Sequence, residues 1–231
     1  MLLSVVDDVD QLDGPSGVHL GSVRWFGTDY TGADMAVHVE RRHDLDPAMR
    51  RRFRTGRACL DLTHTGGEGE AARWEILHEP ADAARFLGII LETEPPVVEA
   101  ADMEHVRAVR QAISNLARCR VAGVAEPDGT IGVINAAAAE PSLVAQLDAD
   151  GSRRFLQGSG RQALSTIARD AIDLYSSPLA ERVRVCEAED CGLLFVDASR
   201  PGTRRWCSMD WCGDRAKKRA SGRPVRQGNI A

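Results

Sequence analysis

The sequence predicts an α+β protein: a helix-rich N-terminal domain with short hairpins, followed by a small C-terminal finger. Three observations predict it. Apolar residues recur at helical spacing in well-separated stretches between Pro80 and Tyr175. Between and after them lie short runs of strand composition, bounded by Gly, Pro and Asp turn signals. Four cysteines, Cys186, Cys191, Cys207 and Cys212, then fall in the pattern C-x4-C-x15-C-x4-C. The division expected is an N-terminal extension over 1–55, a body over 56–180, the finger over 181–224 and a tail over 225–231.

Residues 1–55 show no sustained period. Seven arginines lie between Arg41 and Arg57, Arg50-Arg51-Arg52 among them. They read as a solvated arm, with a second phosphate-binding patch as the alternative. Met49 is a candidate start, which would leave the first 48 residues outside the protein. Ala58–Thr65 reads as a strand turned by Gly66-Gly67, with Arg73–Leu77 as its hairpin partner. His64 reads as a hydrogen-bonded turn histidine, because no partner motif makes it a catalytic base.

From Pro80 the period is helical. Ala83, Phe86, Leu87, Ile90 and Leu91 share a face, and Pro95-Pro96 ends the helix. A longer helix over about 98–121 buries Val106, Val109, Ile113 and Leu116 and turns Arg107, Arg110, Arg118 and Arg120 to solvent. Thr130–Ala139 is a short helix, and 142–147 with 153–156 form a hairpin. Ser159-Gly-Arg-Gln162 is a capping box for a helix striped by Leu164, Ile167, Ala168, Ala171 and Tyr175. Arg182–Val185 runs as a strand straight into Cys186, so the finger is expected to pack on the body.

The cysteine spacing points to metal. Zn²⁺ takes four thiolates in a tetrahedron, and each short pair supplies one edge. The segment is too small for its own core, which is where a metal clip contributes most. Disulfides need an oxidising compartment, and four-cysteine iron–sulfur sites use tighter spacings; both rank below structural Zn²⁺. Four sulfurs leave no position open for catalysis. Leu193–Asp197 reads as a strand returning through Pro201-Gly202 along Thr203–Trp206, and Ser208 as the N-cap of a helix to about Ala220. Knuckle, hairpin and helix make a treble-clef-like or zinc-ribbon-like finger.

Here the chain resembles the CGNR zinc-finger proteins with an N-terminal ABATE domain. Cys186-x4-Cys191, Leu194-Phe195-x-Asp197-x-Ser199-Arg200, Arg204-Arg-Trp-Cys-Ser-Met209 and Cys212-Gly-Asp-Arg215-x-Lys217 carry the resemblance, with Leu60-Asp61-x-x-His64-Thr65 upstream. It implies a bacterial stress-related transcription regulator whose finger binds nucleic acid. Asp214 departs from the pattern, standing where the family's name-giving motif has Asn.

Net charge is −5, unevenly spread: residues 200–226 carry nine Lys or Arg against Asp210 and Asp214. Such asymmetry is the footprint of an anion-binding module on an acidic body. Arg200, Arg204, Arg205, Arg215, Lys217, Lys218 and Arg219 are the candidates for nucleic-acid contact, and the alternative is that some of them offset the thiolates. DNA is the leading partner. RNA comes second, through Trp206 or Trp211, and a small-molecule enzyme with a purely structural finger comes third. A single finger covers a small interface, so tight binding calls for a homodimer. No run suits a membrane span or a signal peptide, which places the chain in the cytoplasm. No catalytic constellation is present, so no enzyme activity is expected.

Overall fold

A computed structural model describes residues 40–221. Expectations for residues 1–39, and for the breakers and tail beyond Ser221, lie outside the described residues.

The described chain opens on α1 (Pro47–Arg52), whose first turn is closed by Asp46, accepting from the backbone N–H of Ala48 and Met49 at 2.8 and 3.1 Å. Three consecutive arginines on a helix with 3.6 residues per turn must face three ways. Arg52 points inward and donates to the carbonyls of His64 and Trp74, Arg50 folds back onto the Leu45 carbonyl, and Arg51 lies over the ring of Trp211. This segment is therefore a built part of the fold and not a solvated arm. A chain begun at Met49 would lack the Asp46 cap, the buried Leu45 and Arg42.

The expected strand at 58–65 is instead α2 (Ala58–Thr63), and its expected partner, Arg73–Leu77, spans the end of a 3₁₀ turn (Gly69–Trp74) and the loop after it. Burial explains the misreading. Every residue from Cys59 to Thr65 is buried, polar ones included, so no apolar face alternates with a wet one. Asp61 accepts from the Thr55 N–H and hydroxyl at 3.2 and 2.8 Å. Its other oxygen sits 3.0 Å from Arg42 as an ion pair without hydrogen-bond geometry.

Around α2 pack α3 (Pro80–Leu91), α4 (Met103–Ala122) and α6 (Gly160–Tyr175), and α5 (Thr130–Ala139) packs on α4 and α6. The stripes read from sequence are the ones buried: Phe86 and Leu87 on α3, Val106, Val109 and Ile113 on α4, Leu164 and Ile167 on α6. Both halves of the capping box at Ser159 and Gln162 form. The hairpin is there as β1 (Ala145–Leu147) against β2 (Arg153–Phe155). Helix α4 starts later than expected, after a 3₁₀ turn at Ala100–Asp102. Its polar face is also not all wet: Arg110 is buried and grips Glu75 with two nitrogens at 2.9 and 2.7 Å.

The chain then forms β3 (Val183–Val185), which pairs antiparallel with β4 (Leu194–Val196), Arg184 facing Phe195. β3 thus occupies the place expected for Thr203–Trp206, which returns as a loop. After a π-helical turn, Met209–Gly213, α7 (Asp214–Ala220) ends the described chain. Ser208 precedes the turn, but its side chain makes no cap.

Burial pushes the Asp61 carboxyl up to about 6, against the opposing pull of Arg42. The folded protein therefore takes up a proton as pH falls through about 6, whereas an unfolded carboxyl waits until about 3.9. In that window acid favours the fold at this site. Arg42→Ala should cost roughly 3–5 kcal/mol near neutral pH, because it strands a buried charge. The cost relative to wild type should shrink as pH approaches about 5. Urea titrations of both proteins at the two pH values measure it, and a cost independent of pH contradicts the assignment.

Candidate metal centre

The four cysteine Sγ atoms lie within 4.8 Å of one another. Cys191 is 3.6 Å from Cys207, and Cys207 is 3.7 Å from Cys212. A tetrahedral thiolate site with metal–sulfur bonds of about 2.3 Å has sulfur–sulfur edges of about 3.8 Å. A disulfide would bring two sulfurs to about 2.0 Å, and a cluster of several irons would need a wider cage. The geometry fits one small cation bound by four thiolates.

Hydrogen bonds with the other three sulfurs hold Cys186 well below the usual thiol range. Hydrogen bonding with Cys186 and Cys191 pushes Cys207 and Cys212 well above it. Four crowded thiols cannot all ionise by themselves; a divalent cation among them removes that obstacle.

Local backbone builds the cage. The Cys191 N–H returns to the Ala188 carbonyl at 2.9 Å and closes the first knuckle, and the Cys186 N–H meets the Leu193 carbonyl at 2.8 Å. The second pair brackets the π-helical turn, with Cys212 buried at its end. Asp197 spans the loop between the pairs, accepting from the N–H of Ser199 and Arg204 at 2.9 and 2.8 Å. Burial works to raise its carboxyl, but these bonds outweigh it and hold the group below the usual carboxylate range.

The sequence-predicted arginines part company here. Arg204 turns inward, donating to the Cys207 carbonyl at 2.9 Å and lying 5.1 Å over Phe195. Arg215 is buried, paired with Asp190 and 5.3 Å over Trp211. Arg205 binds Glu187 at 2.6 Å, and Arg219 lies 3.3 Å from Glu189, both pairs being largely exposed. Arg200, Lys217 and Lys218 are exposed and, among the described residues, have no acidic partner. Arg215 as a nucleic-acid contact is the expectation this geometry disfavours, because its guanidinium is buried inside the finger. The signal was in the knuckle itself, where Glu187, Glu189 and Asp190 stand between the first two cysteines. Asp214 is exposed in the first turn of α7.

His64, expected as a hydrogen-bonded turn histidine, is one, and its bonds seat the finger, a role the sequence did not signal. His64 ends α2; its Nδ1 meets the Arg52 carbonyl, and its Nε2 accepts from the Leu194 N–H at 3.0 Å. That pairing fixes the tautomer, with the proton on Nδ1. Burial pushes the imidazole down to about 4, so it stays a neutral acceptor. The Val196 N–H reaches the Thr55 carbonyl at 3.1 Å, and Arg118 donates to Gly192 at 3.1 Å.

A helical body carrying a docked four-cysteine finger defines the class, that of proteins with a metal-clipped finger. Two family models match the chain in that order. ABATE, described as "Putative stress-induced transcription regulator", covers residues 56–178, and the CGNR zinc finger covers residues 182–223. The first spans just over half of the chain, and the protein belongs to the ABATE family. No curated protein matches it.

Metal removal should act unevenly. Val183, Leu194 and Val196 belong to the body's core, whereas Phe195, Cys186, Cys191 and Cys212 form a separate cluster with Trp206 and Trp211. After chelation, or in Cys207→Ser, hydrogen exchange should accelerate over 186–192 and 205–220 while Val183, Leu194 and Val196 stay protected. Uniform protection in thoroughly chelated protein would contradict a metal-dependent finger.

Proposed function

We propose that the protein is a Zn²⁺-dependent DNA-binding regulator in which the finger contacts the duplex and the helical body holds and orients it. Zinc is the ion because four thiolates in a closed tetrahedron suit its ligand preferences and leave no site for catalysis. The observation that carries the DNA reading is the exposed cationic set Arg200, Lys217 and Lys218, left unpaired beside a knuckle whose acids occupy the other arginines. Arg205 and Arg219 border this set, but Glu187 and Glu189 cancel their charge locally.

The state of the tryptophans favours duplex over single-stranded RNA. Trp211 has Arg51 at 3.7 Å and Arg215 at 5.3 Å over its ring, Trp206 has Arg205 at 4.7 Å, and both rings pack against the cysteine cluster. Base stacking on single strands needs free aromatic faces. Asp214, exposed at the start of α7, weakens any phosphate contact there relative to the family's Asn.

Replacing Lys217 and Lys218 together with Ala should weaken binding to all duplex sequences alike. It should also flatten the plot of log K against log salt by about 1.8, two phosphate contacts' worth. Metal content should not change, since neither side chain touches the cage. Fluorescence anisotropy across a salt series, with zinc measured on the same samples, reads both. Unaltered affinity and slope in the double variant would contradict the proposed face.

A further inference from the structure

Beside the finger, on the body, lies a groove of about 220 Å³ walled by Pro47, Arg50, Arg51 and Arg54 on one side and by Ser208 and Trp211 on the other. Its cations are unmatched. Among the described residues no carboxylate lies within ion-pair distance of Arg50, Arg51 or Arg54, and Asp210 is the one acid in the groove's lining. Each guanidinium keeps donors to offer. Arg54 is exposed and makes no hydrogen bond to another described residue. Arg50 commits Nε and Nη2 to the Leu45 carbonyl, at 3.3 and 3.0 Å, and retains Nη1.

Arg51 is the telling member. Its guanidinium lies 3.7 Å over the Trp211 ring, a contact made through its flat face. Stacking of this kind fixes the group in place without cancelling its charge and without consuming its N–H edge, the edge that matches a phosphate. Trp211 stands next to the metal ligand Cys212, so the finger holds a body arginine ready for an oxyanion. The fold pays for this arrangement by keeping positive charges close together, and an anionic ligand relieves that repulsion.

We infer that the Arg50–Arg51–Arg54 groove is a second phosphate site, which takes the backbone of the same DNA duplex that the finger engages. The inference rests on the DNA reading above and deepens it: the interface is composite, part finger and part α1. Consecutive phosphates suit it better than a single small anion, because three separate guanidiniums line it and each can take a phosphate of its own.

The composite has a numerical signature. The uncompensated finger cations Arg200, Lys217 and Lys218 give a slope of log K against log salt of about −2.7, and adding Arg51 and Arg54, the two groove arginines not already held on the Leu45 carbonyl, steepens it to about −4.5. The test uses full-length, zinc-loaded protein and a random-sequence duplex of fixed length, followed by anisotropy across a salt series. Wild type should lie near the steeper value, and Arg51→Gln with Arg54→Gln should return it to the shallower one with zinc retained. Should the loss of the Trp211 stack release metal, Arg54→Glu alone decides, since that side chain is exposed and braces nothing. It should weaken duplex binding and reduce the slope while zinc stays bound. Wild-type slope in Arg54→Glu overturns the groove and leaves the finger's own role standing. A wild-type protein without salt-dependent duplex binding overturns the DNA reading and the groove with it, and an effect confined to single-stranded RNA overturns duplex as the occupant.

Discussion

One three-residue strand holds the molecule together. β4 alternates its side chains, as any strand must, and each face enters a different core. Leu194 and Val196 pack with the helices of the body, whereas Leu193 and Phe195 pack with the cysteines. Its backbone is shared in the same way. One edge pairs with β3, and the N–H groups of Leu194 and Val196 on the other edge are taken by His64 and Thr55. A strand with both edges satisfied and both faces buried cannot leave one core without disturbing the other. The finger is therefore an extension of the body, and the metal stiffens what the hairpin has already positioned.

That arrangement gives the family's sequence features physical roles. Asp61 ties down the turn before α2, and His64 at its end reaches the finger, so the Leu60–Thr65 signature is a docking device. In the finger, Asp197 and Arg204 brace the loop between cysteine pairs. The neutral state of His64 is part of the design, since a protonated ring could not accept from Leu194. Arginine consequently does two opposite jobs within a short stretch of chain. Where a knuckle acid or a carbonyl lies opposite, as for Arg204 and Arg215, it stabilises the finger; where none does, as for Arg200, it stands exposed without an acidic partner among the described residues.

The parts legible in the sequence were those with a period or a rigid spacing. The amphipathic stripes of α3, α4 and α6, the capping box at Ser159 and the four cysteines each announce themselves through local chemistry. The misreadings fall where tertiary surroundings decide. α2 is buried on all sides, so Leu60 and Leu62 mimic a strand's alternation while Asp61, Thr63 and His64 hide among partners from elsewhere in the chain. Thr203–Trp206 has strand composition, but the edge it would join belongs to β3. Arg110 looked like a solvent residue because Glu75, its partner, is distant in sequence. The candidate phosphate-contacting set was legible as charge alone; which charges are free depends on contacts that no spacing rule reveals.

The central claim is that finger and body are one rigid unit joined through β4. ¹⁵N relaxation on the zinc-loaded full-length protein tests it most directly, by comparing rotational correlation times from amides of α4 and α6 with those from residues 186–192 and 209–219. A shared strand predicts the same correlation time for both sets. A distinctly shorter value for the finger amides, with metal bound, would show a tethered module and contradict the account.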